Sequence, residues 1–217
     1  MTTMMLSKKR FLADGLAVLL ALSAYYLFPV DAKLNGVTQS IVLGVAFLGI
    51  LPVLYVRMIR KESVSAIGLG PSVRRFGWLS VPLAAVSALS VLYLLVRYYP
   101  VGEGYYLPSL AMSSFPIFLL YEVFAVGMIA FLYEVFFRGF IQLLWLGRYG
   151  LSAVFFQFAI FSAFLLVTDG IFWQSAPLLV AALSSGFIAS YTRSIYYSWA
   201  SGWLILFLAD AYFLISK

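Results

Sequence analysis

Residues 112–137 read MSSFPIFLLYEVFAVGMIAFLYEVFF, and the chain continues as RGFIQLLWLGRYG to residue 150. The first stretch holds 26 residues and only two charges, Glu122 and Glu134. Crossing the hydrocarbon core of a bilayer takes about 20 predominantly apolar residues. The stretch is therefore read as a membrane span, Met112–Phe137, with two acids inside it. Outward from it, six more stretches are apolar enough to cross: Phe11–Val30, Ile41–Val56, Phe76–Val96, Leu151–Val167, Ser175–Tyr191 and Ile195–Ile215. The second and fifth spans in chain order are short, at about 16 or 17 residues, against the usual 20. Past Arg138, Gly139–Leu146 reads as a turn followed by a short interfacial helix. The expected fold is an all-α, polytopic integral membrane bundle of about seven spans.

Composition supports this. Of 217 residues 64% are hydrophobic and 10% charged, against about 25% charged in soluble domains. The chain has no His and no Cys, which removes the usual zinc ligands, disulfides, a Cys nucleophile and a His general base. No cofactor or metal is expected. Whatever chemistry remains must run on carboxylates, Tyr, Ser, Thr, Arg and Lys.

The net charge of +6 does not point to nucleic acid, because the cations gather at the ends of apolar stretches. Lys8, Lys9 and Arg10 precede the first, Arg57, Arg60 and Lys61 follow the second, and Arg74 and Arg75 precede the third. With the N-terminus in the cytoplasm, Arg138, Arg148 and Arg193 join them inside. Only Lys33, Arg97 and Lys217 fall outside. The positive-inside rule thus gives a cytoplasmic N-terminus and an external C-terminus, with the plasma membrane as the expected location. The first stretch follows a basic segment but is longer than a typical signal-peptide apolar region. It is read as an uncleaved span.

No internal repeat or low-complexity linker divides the chain, so residues 1–217 are expected to form one membrane domain. Small residues four apart, Ala182-x-x-x-Gly186-x-x-x-Ser190 and Ala159-x-x-x-Ala163, would let helices approach closely. The many aromatics are assigned mainly to lipid contact and interfacial anchoring.

Ionisable residues inside spans are functional candidates by default, and four stand out: Glu122, Glu134, Arg138 and Asp210. Glu134 and Arg138 are four apart and share a helix face. Both a structural ion pair and a chemical role fit them. Glu122 lies about 18 Å up the helix from Glu134 and about 120° around it, so the two acids cannot share a site. Glu122 and Asp210 both lie toward the outer side. They read as near-interface carboxylates, or as part of a proton or ion relay that needs a third polar partner.

The segment Tyr133-Glu134-Val135-Phe136-Phe137-Arg138-Gly139-Phe140-Ile141-Gln142 resembles the first motif of the CPBP family of intramembrane proteases. This family holds the CAAX prenyl endopeptidases and the bacteriocin-processing and immunity proteins, also called Abi. Its motif reads Glu-Glu-x-x-x-Arg, continued as Gly-Phe-Leu/Ile-Gln. Ala66-Ile67-Gly68-Leu69-Gly70, with Arg74, Arg75 and Gly77-Trp78, is similar to the family's Leu-Gly-Leu loop. Thr192-Arg193-Ser194-Ile195-Tyr196 is similar to the start of its last motif-bearing helix. The likeness covers roughly residues 60–215.

The resemblance implies a site in which the first motif's carboxylate activates water or helps to hold a metal, completed by Phe-x-x-x-His and His-x-x-x-Asn/Asp motifs. Here Tyr133 replaces the first Glu and points about 100° away from Glu134. Phe161-x-x-x-Leu165 puts Leu where the first His belongs. Counting from Thr192 places Gly202 at the second His and Leu206 near the Asn. The expectation is a non-catalytic member in which Glu134, Arg138 and Gly139 fix a helix end and chain reversal. Its partners would be membrane lipids and a peptide or lipidated segment, in a binding, immunity or scaffold role. The alternatives are an active endopeptidase using Glu134 and a small proton-coupled transporter using Glu122 and Asp210.

Overall fold

The structure is a computed structural model that describes residues 2–28, 36–70, 77–101, 105, 107–168 and 173–215. Those residues are helical or lie in turns and loops, with no strand among them. Six helical segments are long and apolar enough to cross a membrane: Arg10–Leu27, Ile41–Ile59, Gly77–Tyr98, Phe115–Tyr149, Trp173–Thr192 and Ile195–Ile215. Ser152–Thr168, the expected fifth span, is apolar but shorter at 17 residues. The fold is an all-α polytopic membrane bundle. Arg74, Arg75, Lys33 and Lys217, used in the charge count, lie outside the described residues.

The chain forms two compact units, Met1–Ser63 and Val64–Lys217. In the first, helix α1 (Thr2–Leu27) packs on a second helix, α2, which opens as Gly36–Leu43 and runs on through Gly44–Ile50, Leu51–Leu54 and Tyr55–Ile59. Two of these segments are π-helical and flank Pro52. Proline lacks the amide proton that an α-turn needs, and π-turns commonly mark such local irregularities. A fourth intraspan acid, Asp14, which hydropathy alone does not single out, holds this unit together. Asp14 accepts a hydrogen bond from the Tyr55 hydroxyl at 3.0 Å and pairs with Arg60 at 3.1 Å. Arg60 also reaches Glu62 at 3.1 Å.

The second unit contains α3 (Gly77–Tyr98), α4 (Phe115–Tyr149), α5 (Ser152–Thr168), α6 (Ala176–Thr192) and α7 (Ile195–Ile215). Helices α3, α6 and α7 pack on one another, and α5 packs on α6 and on the lower half of α4. On α3, Val81, Ala85, Ala88 and Leu92 turn inward, whereas Leu79, Leu83, Val86 and Tyr93 are exposed. A helix apolar on both faces suits a bundle whose outer surface meets lipid.

Helix α4 starts after the extended Ser114, with Pro116 in its first turn, where a missing amide proton costs nothing. It then alternates α-helical turns with π-helical segments at Glu122–Val126 and Glu134–Leu143. The turn expected near Gly139 is not there, because the helix passes through Arg138 and Gly139 to Tyr149. The reason is that Arg138 is buried against Glu134 rather than leaving for the interface. Gly139 instead allows a close approach: an added Cβ would lie 2.7 Å from the Ile67 carbonyl oxygen. The chain reverses at Gly150, whose φ of 54° suits glycine at a helix C-terminus.

The small-residue stripes divide. Gly186 is a close contact point, where a Cβ would lie 3.0 Å from Val154 and 3.2 Å from the Gln142 side-chain oxygen. Ala159 and Ala163, in contrast, are exposed. The buried stripe of α5 is Ala153, Val154, Gln157, Phe161, Phe164 and Leu165. The aromatics divide as well. Phe118, Phe136, Phe137, Phe140 and Phe161 are fully buried, so these five rings build the interior rather than the lipid surface.

Candidate functional site

The π-helical segment Glu134–Leu143 buries all ten of its residues, which brings two charges into the bundle. Glu134 Oε1 lies 3.3 Å from Arg138 Nε. This is an ion pair without the alignment of a hydrogen bond. From α7, the Ser198 hydroxyl lies 2.6 Å from Glu134 Oε2 and 3.0 Å from the Ile195 carbonyl. Its single proton serves the closer, charged acceptor. From α6, the Ser185 hydroxyl sits between the Glu134 carboxylate and the Ser198 carbonyl, 3.1 Å from the latter. Serines 185 and 198 escaped the sequence reading. Their signal was a hydroxyl on a helix that is apolar on every side.

These residues close one end of a cavity of about 230 Å³. Its lining includes Tyr133, Glu134, Arg138, Phe161, Gly202 and Leu206, with Leu178, Ala181 and Ala182 of α6 along the wall. The first-motif residues Tyr133, Glu134 and Arg138 thus share a cavity with Phe161 and with both positions reached by counting from Thr192. Leu165 is buried on α5 but does not line it. Gly202 faces the carboxylate: an added Cβ would stand 3.6 Å from Glu134 Oε1 and only 2.6 Å from Ser185 Oγ. The space a side chain at 202 would need is held by the Ser185 hydroxyl.

Tyr133 turns into an aromatic cluster, edge-on to Phe137, Phe161 and Phe164 at centroid distances of 6.0, 5.8 and 6.2 Å. The Arg138 guanidinium carbon lies 5.4 Å from the Phe161 ring centre, a cation–π contact in a water-poor setting. The site therefore combines a carboxylate, a guanidinium and the Ser185 hydroxyl with a mostly apolar lining.

The loop Val64–Ile67 and Gly68 clasp this region. The Ile195 amide donates to the Gly68 carbonyl at 3.3 Å, joining the loop to the start of α7. Gly77 and Trp78 open α3, and Trp78 stands edge-on to Tyr197 at 5.0 Å. Among the described residues no group of three His, Cys, Asp or Glu stands close enough to hold a metal ion.

The other two weighed acids come together in a different part of the unit. Glu122 is fully buried and Asp210 is 7% exposed, so neither is an interfacial, snorkelling carboxylate. Asp210 accepts a hydrogen bond from the Tyr105 hydroxyl, and Glu122 is its other side-chain neighbour. Tyr105 is the third polar partner that the sequence reading lacked. It sits in the connection between α3 and α4, 105 residues from Asp210 along the chain. Burial and the adjacent Asp210 carboxyl hold its phenol well above the ordinary value.

No family model, curated protein or solved structure matches the chain.

Proposed function

We propose that this is a non-catalytic membrane protein of CPBP type, whose Glu134–Arg138 cavity binds a peptide or lipidated segment as a receptor, immunity or scaffold subunit. The observation that carries this reading is the state of Glu134. One of its oxygens faces the Ser198 hydroxyl at 2.6 Å and the other faces Arg138 at 3.3 Å. A general base must take a proton from water, whereas one oxygen here accepts the Ser198 proton and the other faces a fixed cation. Ser185 fills the space beside Gly202, where a proteolytic relative would carry a histidine.

Binding suits what remains. Small-molecule sites are mostly apolar concavities with a few convergent polar groups, and the cavity has that make-up. The apolar walls of Ile129, Ala181, Leu178 and Leu206 would take a prenyl or acyl chain or an apolar side chain. The Arg138 guanidinium, which lines the cavity, would meet a backbone carbonyl or carboxylate. In this reading the N-terminus is cytoplasmic, the C-terminus is external and the protein resides in the plasma membrane.

The test uses purified protein in lipid nanodiscs and a photoactivatable prenylated peptide. Wild type should be labelled without releasing a cleavage product, and Ala130→Phe, which fills the cavity, should lose the label. Absence of labelling in wild type would remove the binding reading. Cleavage by wild type that disappears in Glu134→Gln would replace it with an active endopeptidase.

A further inference from the structure

We propose that Glu122 and Asp210 form a proton-binding site, holding one exchangeable proton between their carboxyl groups with the Tyr105 hydroxyl as a third oxygen. The site is independent of the Glu134 cavity and stands or falls apart from it.

The helices fix the pair. At Glu122 the backbone of α4 enters a π-helical segment that ends at Val126. Its carbonyls find donors on α7: the Trp203 indole donates to the Glu122 carbonyl and the Trp199 indole to the Gly127 carbonyl, each at 2.9 Å. One turn further along, Phe118 meets Phe207 at 5.8 Å. These contacts lay α7 along α4 and turn the Asp210 side chain toward Glu122.

A count of donors then requires a proton. Tyr105 has one hydroxyl proton, and Asp210 Oδ1 takes it. Neither oxygen of the fully buried Glu122 has a donor among the described residues. An ionised carboxylate only accepts hydrogen bonds, whereas a protonated one donates. The side-chain contact between Glu122 and Asp210 forms as a hydrogen bond when one of them carries a proton.

The surroundings give no other source of positive charge. The groups that act on Glu122 and Asp210 are each other and Tyr105, and no Lys or Arg acts on either acid among the described residues. Around them α3 contributes Leu95 and Val96, α6 contributes Ala176, and α7 contributes Phe213, stacked on Tyr105 at 4.2 Å. Burying an uncompensated carboxylate costs several kcal/mol, and two side by side cost more. Hard divalent cations take about six or more oxygens, whereas this cluster offers three side-chain groups. A proton needs only two.

The site also lies where a proton can be exchanged. Asp210 is within two turns of the end of α7 at Ile215. Tyr105 is half-buried and lies outside any helix.

Infrared spectroscopy of wild-type protein in nanodiscs tests this directly. At neutral pH the spectrum should contain the carbonyl stretch of a buried protonated carboxyl group, shifted on exchange into deuterium oxide. The double variant E122Q/D210N, whose amides keep a hydrogen-bonding pair, should lose the band, and E134Q should retain it. Tyr105→Phe keeps both acids and should move the band, because Asp210 loses its donor. Exchanging choline chloride for sodium chloride at constant pH should leave the band unchanged. A wild-type spectrum without the band, a band that survives in the double variant or stays unmoved in Tyr105→Phe, or its loss on adding sodium would overturn the proposal. The sodium outcome would assign the pair to a metal cation instead.

Discussion

At Glu134 a single atom decides between two stability outcomes. Removing one partner of a buried ion pair costs about 3–5 kcal/mol, because the other charge remains buried. Glu134→Gln should therefore lower the melting temperature of detergent-solubilised protein clearly, through the stranded Arg138. The double change Glu134→Gln/Arg138→Met should recover most of the loss. An unchanged melting temperature in the single variant would show that the pair does not hold the site. Gly202 gives a second reading of the same atoms. Gly202→Ala should be destabilising, since its Cβ would stand 2.6 Å from Ser185 Oγ. Adding Ser185→Ala should offset part of that cost in a double-mutant cycle. Glu134 and Arg138 were legible because charges in an apolar stretch stand out. Ser185 and Ser198 were not, since a hydroxyl on a membrane helix can satisfy itself on its own backbone, as Ser87 does with Leu83. Only the packing of α6 and α7 on α4 turns two of the many serines into partners of a carboxylate.

At the scale of elements, α4 shows where sequence reading stops. Its existence followed from length and hydropathy alone. Its continuity did not, because an Arg-Gly pair after a long apolar run has the pattern of an interfacial break. What overrides the pattern is tertiary: Glu134 neutralises Arg138 inside the bundle, and Gly139 fits under the Ile67 carbonyl. Gly139→Ala should consequently be strongly destabilising, while Gly147→Ala on the same helix should be neutral or stabilising. Nothing lies within 4 Å of a Cβ at 147, and alanine favours a helix over glycine by up to about 1 kcal/mol. Equal effects in thermal unfolding would refute the account of Gly139. The indole donors are a further test. Trp203→Phe should cost about 1 kcal/mol for the lost hydrogen bond, and more rapid amide exchange should appear first near Glu122.

At the scale of the whole molecule, the sequence yielded the class of fold and nearly all of its spans, because hydropathy reports bilayer crossing directly. It did not yield which helices touch. The acids Glu122 and Asp210 and the phenol of Tyr105 meet across more than a hundred residues of chain, and no local pattern encodes that meeting. The proposed orientation can be tested cleanly, since the chain has no Cys and each introduced one is unique. A membrane-impermeant maleimide applied from outside intact cells should label Arg97→Cys and leave Lys61→Cys unlabelled. The opposite pattern would invert the topology.

The unequal lengths of α4 and α5 have a consequence for the lipid around them. At about 1.5 Å per residue, the 35 residues of Phe115–Tyr149 extend about 52 Å, and the 17 of Ser152–Thr168 only about 26 Å. A hydrocarbon core of about 30 Å is too thin for the first and too thick for the second. Such hydrophobic mismatch is relieved by tilt on the long side and by local thinning on the short one, at fractions of a kcal/mol per ångström. Thinning is therefore expected beside α5, the helix whose Phe161 lines the Glu134 cavity, and lipids with longer chains would strain that side of the protein first.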